Sequence, residues 1–214
     1  MGSILISGFE PFDGDAVNPS WSIATALDGR ELAGHRVKAV QLPVVFGLAA
    51  QRLHAAMRSS RPAMVLALGL AAGRHELSIE RFALNHADAR IPDNAGQQPK
   101  DSRILDSAPL AYATSLPVAA ILARLRAQGI PVAASLSAGA YVCNDLFFRL
   151  MHALAKRKAP PPAGFVHVPY ASEQLGARSG VPSLPLATLI QAVAEIVEAS
   201  VAPRDQASAC SAPS

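Results

Sequence analysis

Charged and aromatic side chains are both scarce in this sequence of 214 residues. Charged residues make up 16% and aromatic residues 5%, the formal net charge is +3, and the one compact basic run covers residues 156–158. Proteins that bind nucleic acids usually carry a basic stripe together with aromatic side chains or a recognisable binding module. We therefore expect no nucleic-acid partner, and we interpret the basic run as the solvated end of a helix, where cations are favourable.

Long hydrophobic runs are also missing. Half of the residues are apolar, which is enough to fill a sizeable core. No stretch reaches the roughly 18 to 20 apolar residues of a membrane span. The first apolar run, residues 3–7, leads into an acidic loop and lacks the cationic leader of a signal peptide. We expect no membrane partner and a cytoplasmic location.

Cysteine is nearly absent, since the chain contains only Cys143 and Cys210. The two lie far apart, and Cys210 belongs to a polar tail of small residues, so a disulfide framework is excluded. A single cysteine in the body of an intracellular chain is a candidate nucleophile when a histidine and a carboxylate can serve it. The alternative is that Cys143 is simply a small buried apolar residue.

Short apolar runs alternate with helical patterns along the chain, which favours βαβ units and a largely parallel sheet covered on both faces. Residues 77–91 look extended but carry interleaved polar residues, and we interpret them as an antiparallel excursion or a long loop. The predicted strands are 3–7, 36–42, 63–68, 131–136 and 164–169, and the predicted helices are 19–27, 47–58, 117–128, 141–156 and 184–200.

These elements predict an α/β fold, a single-domain three-layer α/β/α sandwich with a mixed, largely parallel twisted sheet. We find neither a nucleotide-binding glycine motif nor an interdomain linker. The domain is expected to cover residues 1–201. Residues 202–214 lack core-forming side chains and are expected to be a disordered tail.

Three residue types suited to acyl transfer lie at plausible loop or strand ends. Cys143 falls in the opening turn of the predicted helix 141–156, where the helix dipole is expected to lower the pKa of a thiol. His167 lies in the apolar run FVHVPY, and Glu80 lies in SIERFALN. Together they could supply the nucleophile, the base and the group that orients the base.

Each of these residues also has a plain structural explanation. His167 could be a hydrogen-bonded core histidine, and Glu80 could be a structural ion-pair partner of Arg81 or Arg90. A metal site is disfavoured, because the pairs His75–Glu76 and His86–Asp88 do not have the spacing of a zinc signature.

Four segments in register carry a family resemblance: GFEPFDGDAVNPSW, ERFALNHADARIPDNAGQQP, SAGAYVCNDLF and GFVHVPY. They resemble the signature segments of the pyrrolidone-carboxyl peptidases, the pyroglutamyl peptidase I family of cysteine peptidases. The resemblance extends from about residue 4 to residue 196. It implies removal of an N-terminal pyroglutamyl residue from peptides through a thioacyl intermediate, with Cys143 as nucleophile, His167 as acid and base, and Glu80 as its orienting carboxylate.

The resemblance also implies a pocket, no metal or other cofactor, and a homo-oligomer, which in the family is a tetramer. The family usually has glutamine where this sequence has Leu70, and it commonly has threonine in place of Ala140. Two alternatives therefore stay open: an amidase of the same fold with drifted specificity, and a binding homologue without catalysis. The substrate-binding residues implied are Phe9, Phe12, Leu70, Arg90, Ile91, Tyr141 and Val142.

Overall fold

The computed structural model describes residues 2–176 and 178–201. The tail predicted for residues 202–214 lies outside these residues. The helices are α1 Pro19–Leu27, α2 Leu48–Ser60, α3 Val118–Ala127, α4 Val142–Ala155 and α5 Leu186–Val201. The strands are β1 Ser3–Phe9, β2 Glu31–Leu32, β3 His35–Leu42, β4 Met64–Leu70, β5 Leu77–Glu80, β6 Phe82–Leu84, β7 Ala111–Ala113, β8 Val132–Ser135, β9 Ala163–Val168, β10 Tyr170–Ala171 and β11 Ser183–Leu184.

Seven strands form the main sheet in the order β2-β3-β1-β4-β9-β5-β8. Strands β3, β1, β4 and β9 are mutually parallel, and β5 is parallel to β8. The antiparallel pairs are β2–β3 and β5–β9. The mixed, largely parallel sheet expected from the sequence is therefore confirmed.

Helices cover both faces of this sheet. Side chains alternate between the faces along a strand, so Ile4 and Ile6 contact the core beneath α1, α3 and α5. Leu5 lies between them in the sequence and joins the opposite core, beneath α2 and α4. Every residue of β1 is buried, which explains its continuous apolar sequence. The three-layer sandwich is confirmed.

Helix α4 is held against the sheet by the stripe that its sequence predicts. Phe147, Leu150, Met151 and Leu154 are all buried in the core shared with α2. The rings of Phe147 and Phe165 in β9 lie 5.9 Å apart. This packing fixes the first turn of α4 over the neighbouring strands β4 and β9.

The segment 77–91 differs most from its prediction. Its first part is β5, a fully buried strand of the main sheet, while β6 pairs with β7 in a separate small sheet. Polar Ser78 and Glu80 interrupt the apolar pattern of β5, so the local sequence conceals its burial. In the described ranges no helix combines the length and apolarity that a bilayer crossing requires.

Candidate active site

Glu80 and His167 form a buried hydrogen-bonded pair. The distance between Glu80 Oε1 and His167 Nδ1 is 2.7 Å, and the residues are 0% and 5% exposed. Ser78 is the residue of β5 directly opposite His167 in β9. Glu80 therefore lies diagonally across the strand pair on the same face of the sheet, within side-chain reach. Because β5 runs opposite to β9, Glu80 lies deeper in the sheet than His167.

Arg74 is the cation that pairs with Glu80. Its Nη1 donates to Glu80 Oε1 at 2.9 Å from the loop between β4 and β5. The partners considered from the sequence, Arg81 and Arg90, are both exposed, and that expectation was wrong. Arg81 follows Glu80 directly, so its side chain is directed to the opposite face. Among the described residues, Glu80 Oε2 has no hydrogen-bond partner.

Cys143 is the second residue of α4 and is half-buried. A Cβ atom added to Gly69 would lie 3.0 Å from the Cys143 Sγ and 2.8 Å from the ring of Phe165. The thiol therefore packs directly on the backbone of β4 at Gly69. Since Gly69 is the residue of β4 opposite His167 in β9, the thiol lies over the same strand pair as the imidazole.

Burial controls the protonation of both groups. Burial first, and the charge of Glu80 second, raise the pKa of the Cys143 thiol to about 12, although Arg74 and a backbone N–H act in the opposite direction. Burial also lowers the pKa of His167, against the hydrogen bond and the charge of Glu80. The expectation that the start of α4 gives a thiol of lowered pKa was therefore wrong, because desolvation prevails. The resting pair is a neutral thiol and a neutral imidazole.

The tautomer of His167 follows from its partner. A carboxylate can only accept hydrogen bonds, so His167 Nδ1 carries the proton and donates it to Glu80. The other ring nitrogen, Nε2, then has a free lone pair. A neutral imidazole in this tautomer can take a proton from a thiol.

A cleft of about 180 Å³ opens beside Cys143. Five of the substrate-binding residues expected from the sequence line it, whereas Arg90 and Ile91 are not part of its described lining. The residues that line it are Phe9, Phe12, Asp13, Asp15, Val17, Asn18, Val44, Leu70, Ala72, Tyr141, Val142, Cys143 and Tyr170.

Aromatic rings form one side of this cleft. The ring of Tyr141 lies 5.5 Å from that of Phe12 and 5.4 Å, edge-on, from that of Phe46. The Tyr141 hydroxyl donates to the carbonyl of Pro92 at 2.9 Å. The segment with Arg90 and Ile91 therefore lies next to the cleft through its neighbour Pro92.

Another part of the cleft lining joins two segments that are distant in sequence. Asp15 accepts hydrogen bonds from the Tyr170 hydroxyl at 2.8 Å and from Arg178 at 2.9 Å. The Arg178 guanidinium also lies over the Tyr170 ring, 5.0 Å from its centre. Sequence analysis missed Asp15 and Tyr170 as cleft residues, although both lie within the family-like segments.

The loop that carries Phe12 and Asp15 is fixed at its base. Asn18 caps α1 by accepting from the Ser20 N–H, and its amide donates to the Glu10 carbonyl. The Glu10 carboxylate in turn accepts from the N–H of Val44.

Within the described residues no group of three or more histidine, cysteine, aspartate or glutamate side chains could hold a metal ion.

A thiol at the start of a helix, above the strand next to the one that carries an imidazole oriented by a carboxylate, is the set of groups that a cysteine-type hydrolase requires. A family model described as pyroglutamyl peptidase matches residues 2–202. The chain belongs to this family of peptidases.

Relatives and solved structures agree with the family match. The chain is 47% identical over 193 residues to the pyrrolidone-carboxylate peptidase of Klebsiella pneumoniae, covering 90% of each chain. It is 43% identical over 205 residues to that of Cupriavidus taiwanensis, covering 95% of each. Its fold matches pyroglutamyl peptidase I of Bacillus amyloliquefaciens with a TM-score of 0.90, 36% identity, and 95% and 98% of the two chains covered. The pyrrolidone carboxyl peptidase of Thermococcus litoralis matches with a TM-score of 0.90, 40% identity and 94% of each chain covered.

Proposed function

We propose that this protein hydrolyses the bond after an N-terminal pyroglutamyl residue of peptides, with Cys143, His167 and Glu80 as its catalytic residues. The observation that carries the proposal is the 2.7 Å contact by which Glu80 orients His167. In β9, His167 lies opposite Gly69 of β4, on which the Cys143 thiol packs. The family membership supports the reaction type, and the orientation of the imidazole supports the roles.

The first half of the reaction forms the thioacyl enzyme. His167 Nε2 takes the thiol proton of Cys143 while the sulfur attacks the pyroglutamyl carbonyl carbon. Glu80 stabilises the imidazolium that results. Backbone N–H groups of the first turn of α4 have no partner within the helix and can donate to the oxyanion. When the C–N bond breaks, the imidazolium gives its proton to the departing amine.

The second half releases pyroglutamate. Water attacks the thioester carbonyl, and His167 takes a proton from the water. The C–S bond then breaks, and the proton returns to the sulfur of Cys143. The Glu80 carboxylate keeps the same tautomer of the imidazole throughout, so His167 can act as base and acid in turn.

The cleft suits a small neutral ring. Phe12, Leu70 and Tyr141 provide apolar surface beside Cys143. The Tyr141 hydroxyl and the Asp15 carboxylate are already hydrogen-bonded to other parts of the protein. We therefore propose that apolar enclosure and backbone groups hold the lactam, and that Phe9 and Val142 complete the wall. Arg90 and Ile91 would act only through the neighbouring segment at Pro92.

A fluorogenic pyroglutamyl amide tests this proposal. We expect the wild-type protein to hydrolyse it, and we expect Cys143→Ala and iodoacetamide treatment to remove the activity. Cys210→Ser, which changes the only other cysteine, is the matched control and should retain it. A folded wild-type protein that gives no turnover above the enzyme-free rate would overturn the proposal.

A second candidate is an amidase of the same fold with drifted specificity. Leu70 lines the cleft at the end of β4 and, unlike the glutamine implied by the family resemblance, cannot hydrogen-bond a lactam. Leu70→Gln should then raise kcat/KM for pyroglutamyl amides by about 10-fold or more. Leu70→Met keeps the side-chain volume and serves as control. A Leu70→Gln variant with no gain would count against drift. A thiol that is alkylated slowly, without turnover of any amide, would instead indicate a binding homologue.

We further propose that residues 1–201 form a single catalytic domain that assembles as a homo-oligomer, a tetramer by family resemblance, in the cytoplasm. The family match over residues 2–202 supports the domain. Exposed Leu110 and Leu136, at 76% and 70%, offer apolar surface for assembly. Light scattering of the purified protein tests the assembly, and a monomeric mass at micromolar concentration would contradict it.

A further inference from the structure

We propose that Arg74 is a positioning residue for the reaction, acting on His167 through the carboxylate of Glu80. The inference rests on the proposed function, because it assigns a role beside the same three residues. Arg74 does not line the cleft. Its effect on the reaction would therefore be indirect.

Arg74 binds the Glu80 carboxylate directly, through a hydrogen bond. Arg74 Nη1 and His167 Nδ1 both donate to the same oxygen, Glu80 Oε1, at 2.9 and 2.7 Å. The other oxygen, Oε2, is buried and has no hydrogen-bond partner in the described part of the chain. Glu80 is 0% exposed, so its negative charge needs a compensating group inside the protein. Arg74, with its side chain 31% exposed, is the cation that supplies it.

Two charged groups act on the imidazole, Glu80 from β5 and Arg74 from the loop after β4. The same two groups act on the Cys143 thiol of α4. Glu80 raises the pKa of His167, whereas Arg74 lowers it. Arg74 also lowers the pKa of Cys143, which Glu80 raises. Arg74 therefore offsets the carboxylate in both members of the reacting pair.

This opposition matters for the resting state. Glu80 must orient the imidazole and stabilise its cation during the reaction, but an uncompensated buried carboxylate would also favour a protonated His167 in the free enzyme. A protonated His167 cannot accept the thiol proton. With Arg74 present, the ring remains neutral and available as a base to a lower pH.

The competing explanation is that Arg74 only anchors its loop. An anchor would lower activity by a similar factor at every pH, whereas a charge that acts through Glu80 would shift the acid limb of the pH profile. The variants are Arg74→Met, which removes the charge, and Arg74→Lys, which retains it. Arg124→Met is the matched control, because Arg124 forms an ion pair with Glu195 between α3 and α5.

The profile of kcat/KM against pH is the first readout. For Arg74→Met we expect the acid limb to move up by about one pH unit, the size of effect typical of a nearby charge. Activity should fall about 10-fold below the limb and recover to within about 3-fold of wild type on the alkaline plateau. Arg74→Lys should restore most of the shift, and Arg124→Met should show none.

The second readout does not depend on peptidase activity. In a Cys210→Ser background, the rate of Cys143 alkylation by iodoacetamide is measured against pH. We expect its acid limb to follow His167 and to move up in Arg74→Met as well. If wild type hydrolyses no pyroglutamyl amide but this limb still moves, the proposed function fails and the role of Arg74 stands.

An equal loss of activity at all pH values, with an unmoved alkylation limb, would overturn the inference while leaving the proposed function intact. Thermal unfolding of each variant establishes that it is folded. If Arg74→Met does not fold, Arg74→Gln replaces it, and the same two limbs decide.

Discussion

The two groups of residues around the cleft are built in different ways. Gly69, Glu80 and His167, the strand group, lie on β4, β5 and β9 of the main sheet. Phe12, Asp15 and Tyr170, the wall group, lie outside that sheet and are held by side-chain contacts. Sites on regular elements hold reacting groups more closely than sites on loops do. We therefore expect changes in the strand group to act on kcat and changes in the wall group to act on KM.

The largest effect is expected from a substitution that removes the charge of Glu80 and keeps its volume. Glu80→Gln keeps the shape but removes the negative charge that fixes the tautomer of His167 and stabilises its cation. We expect kcat to fall about 10⁴-fold, as happens when the orienting carboxylate of a catalytic triad becomes an amide. Steady-state kinetics with a fluorogenic pyroglutamyl amide measures the change.

Glu195→Gln is the control for this prediction. Glu195 also pairs with an arginine, Arg124. This ion pair joins α3 to α5 and is not part of the cleft lining. Glu195→Gln should leave kcat within about 2-fold of wild type, since surface ion pairs contribute little. A Glu80→Gln variant that keeps more than a tenth of the wild-type kcat would remove Glu80 from the proposed mechanism.

The positions of Cys143 and His167 could be predicted from the sequence, and the reason is local. Cys143 lies in the first turn of a helix with a clear buried stripe, and His167 lies in a short apolar strand. Simple sequence patterns therefore predict the position of each residue in its element. Local patterns could not predict that Glu80 pairs with His167. This pairing depends on β5 entering the sheet antiparallel to β9, which is a tertiary arrangement that no local pattern encodes.

The wall group was predicted only in part. Phe12 was implied by family resemblance, but Asp15 was not. Asp15 contacts Tyr170, 155 residues further along the chain, and Arg178. Such a long-range contact between side chains of polar segments leaves no periodic signal in the sequence. The pKa of Cys143 was mispredicted for a related reason, since its burial depends on Phe165 and Gly69 packing beside it.

A smaller effect is expected when the close packing at Gly69 is disturbed. In Gly69→Ala the new methyl group would lie 3.0 Å from the Cys143 sulfur and 2.8 Å from the Phe165 ring. We expect kcat to fall about 10- to 100-fold because the thiol is displaced, and the unfolding free energy to fall by about 1 to 3 kcal/mol from overpacking. Kinetics and denaturant unfolding measure the two quantities.

Gly14→Ala provides the comparison for Gly69→Ala. Gly14 has positive φ, and a Cβ atom there would meet nothing within 4 Å, so only backbone strain is introduced. It should lower stability without a comparable loss of kcat. If Gly69→Ala kept the wild-type kcat, the thiol would tolerate displacement and the strand group would be less constrained than we infer.

The wall group is tested by Tyr170→Phe. This change removes the hydroxyl that donates to Asp15 at 2.8 Å but keeps the ring in the cleft. We expect KM to rise about 5-fold, because the two segments that carry Asp15 and Tyr170 lose a hydrogen bond to a charged group, with kcat within about 2-fold. Tyr112→Phe, which loses a 2.7 Å contact with His152 away from the cleft, is the control. A fall in kcat at unchanged KM would reverse the division between the two groups.

The smallest expected effect is on stability, and it follows from the lowered pKa of His167. The ordinary value for histidine is 6.5, and burial lowers the pKa in the folded state. As the pH falls below 6.5, the unfolded chain binds the proton first, so the unfolding free energy decreases until the pH passes the folded-state pKa. The decrease is about 1.4 kcal/mol for each unit by which the two pKa values differ. Above pH 6.5 His167 is neutral in both the folded and the unfolded chain, so its full contribution to the unfolding free energy is present. His167→Gln should flatten this part of the dependence in denaturant unfolding between pH 7 and pH 5. His54 and His152 also have lowered pKa values and remain in every variant, so only the difference between variants reports on His167. If His167→Gln and wild type lost stability in parallel, the imidazole would not be held neutral by the fold, and the strand group would lack the resting state on which its proposed chemistry depends.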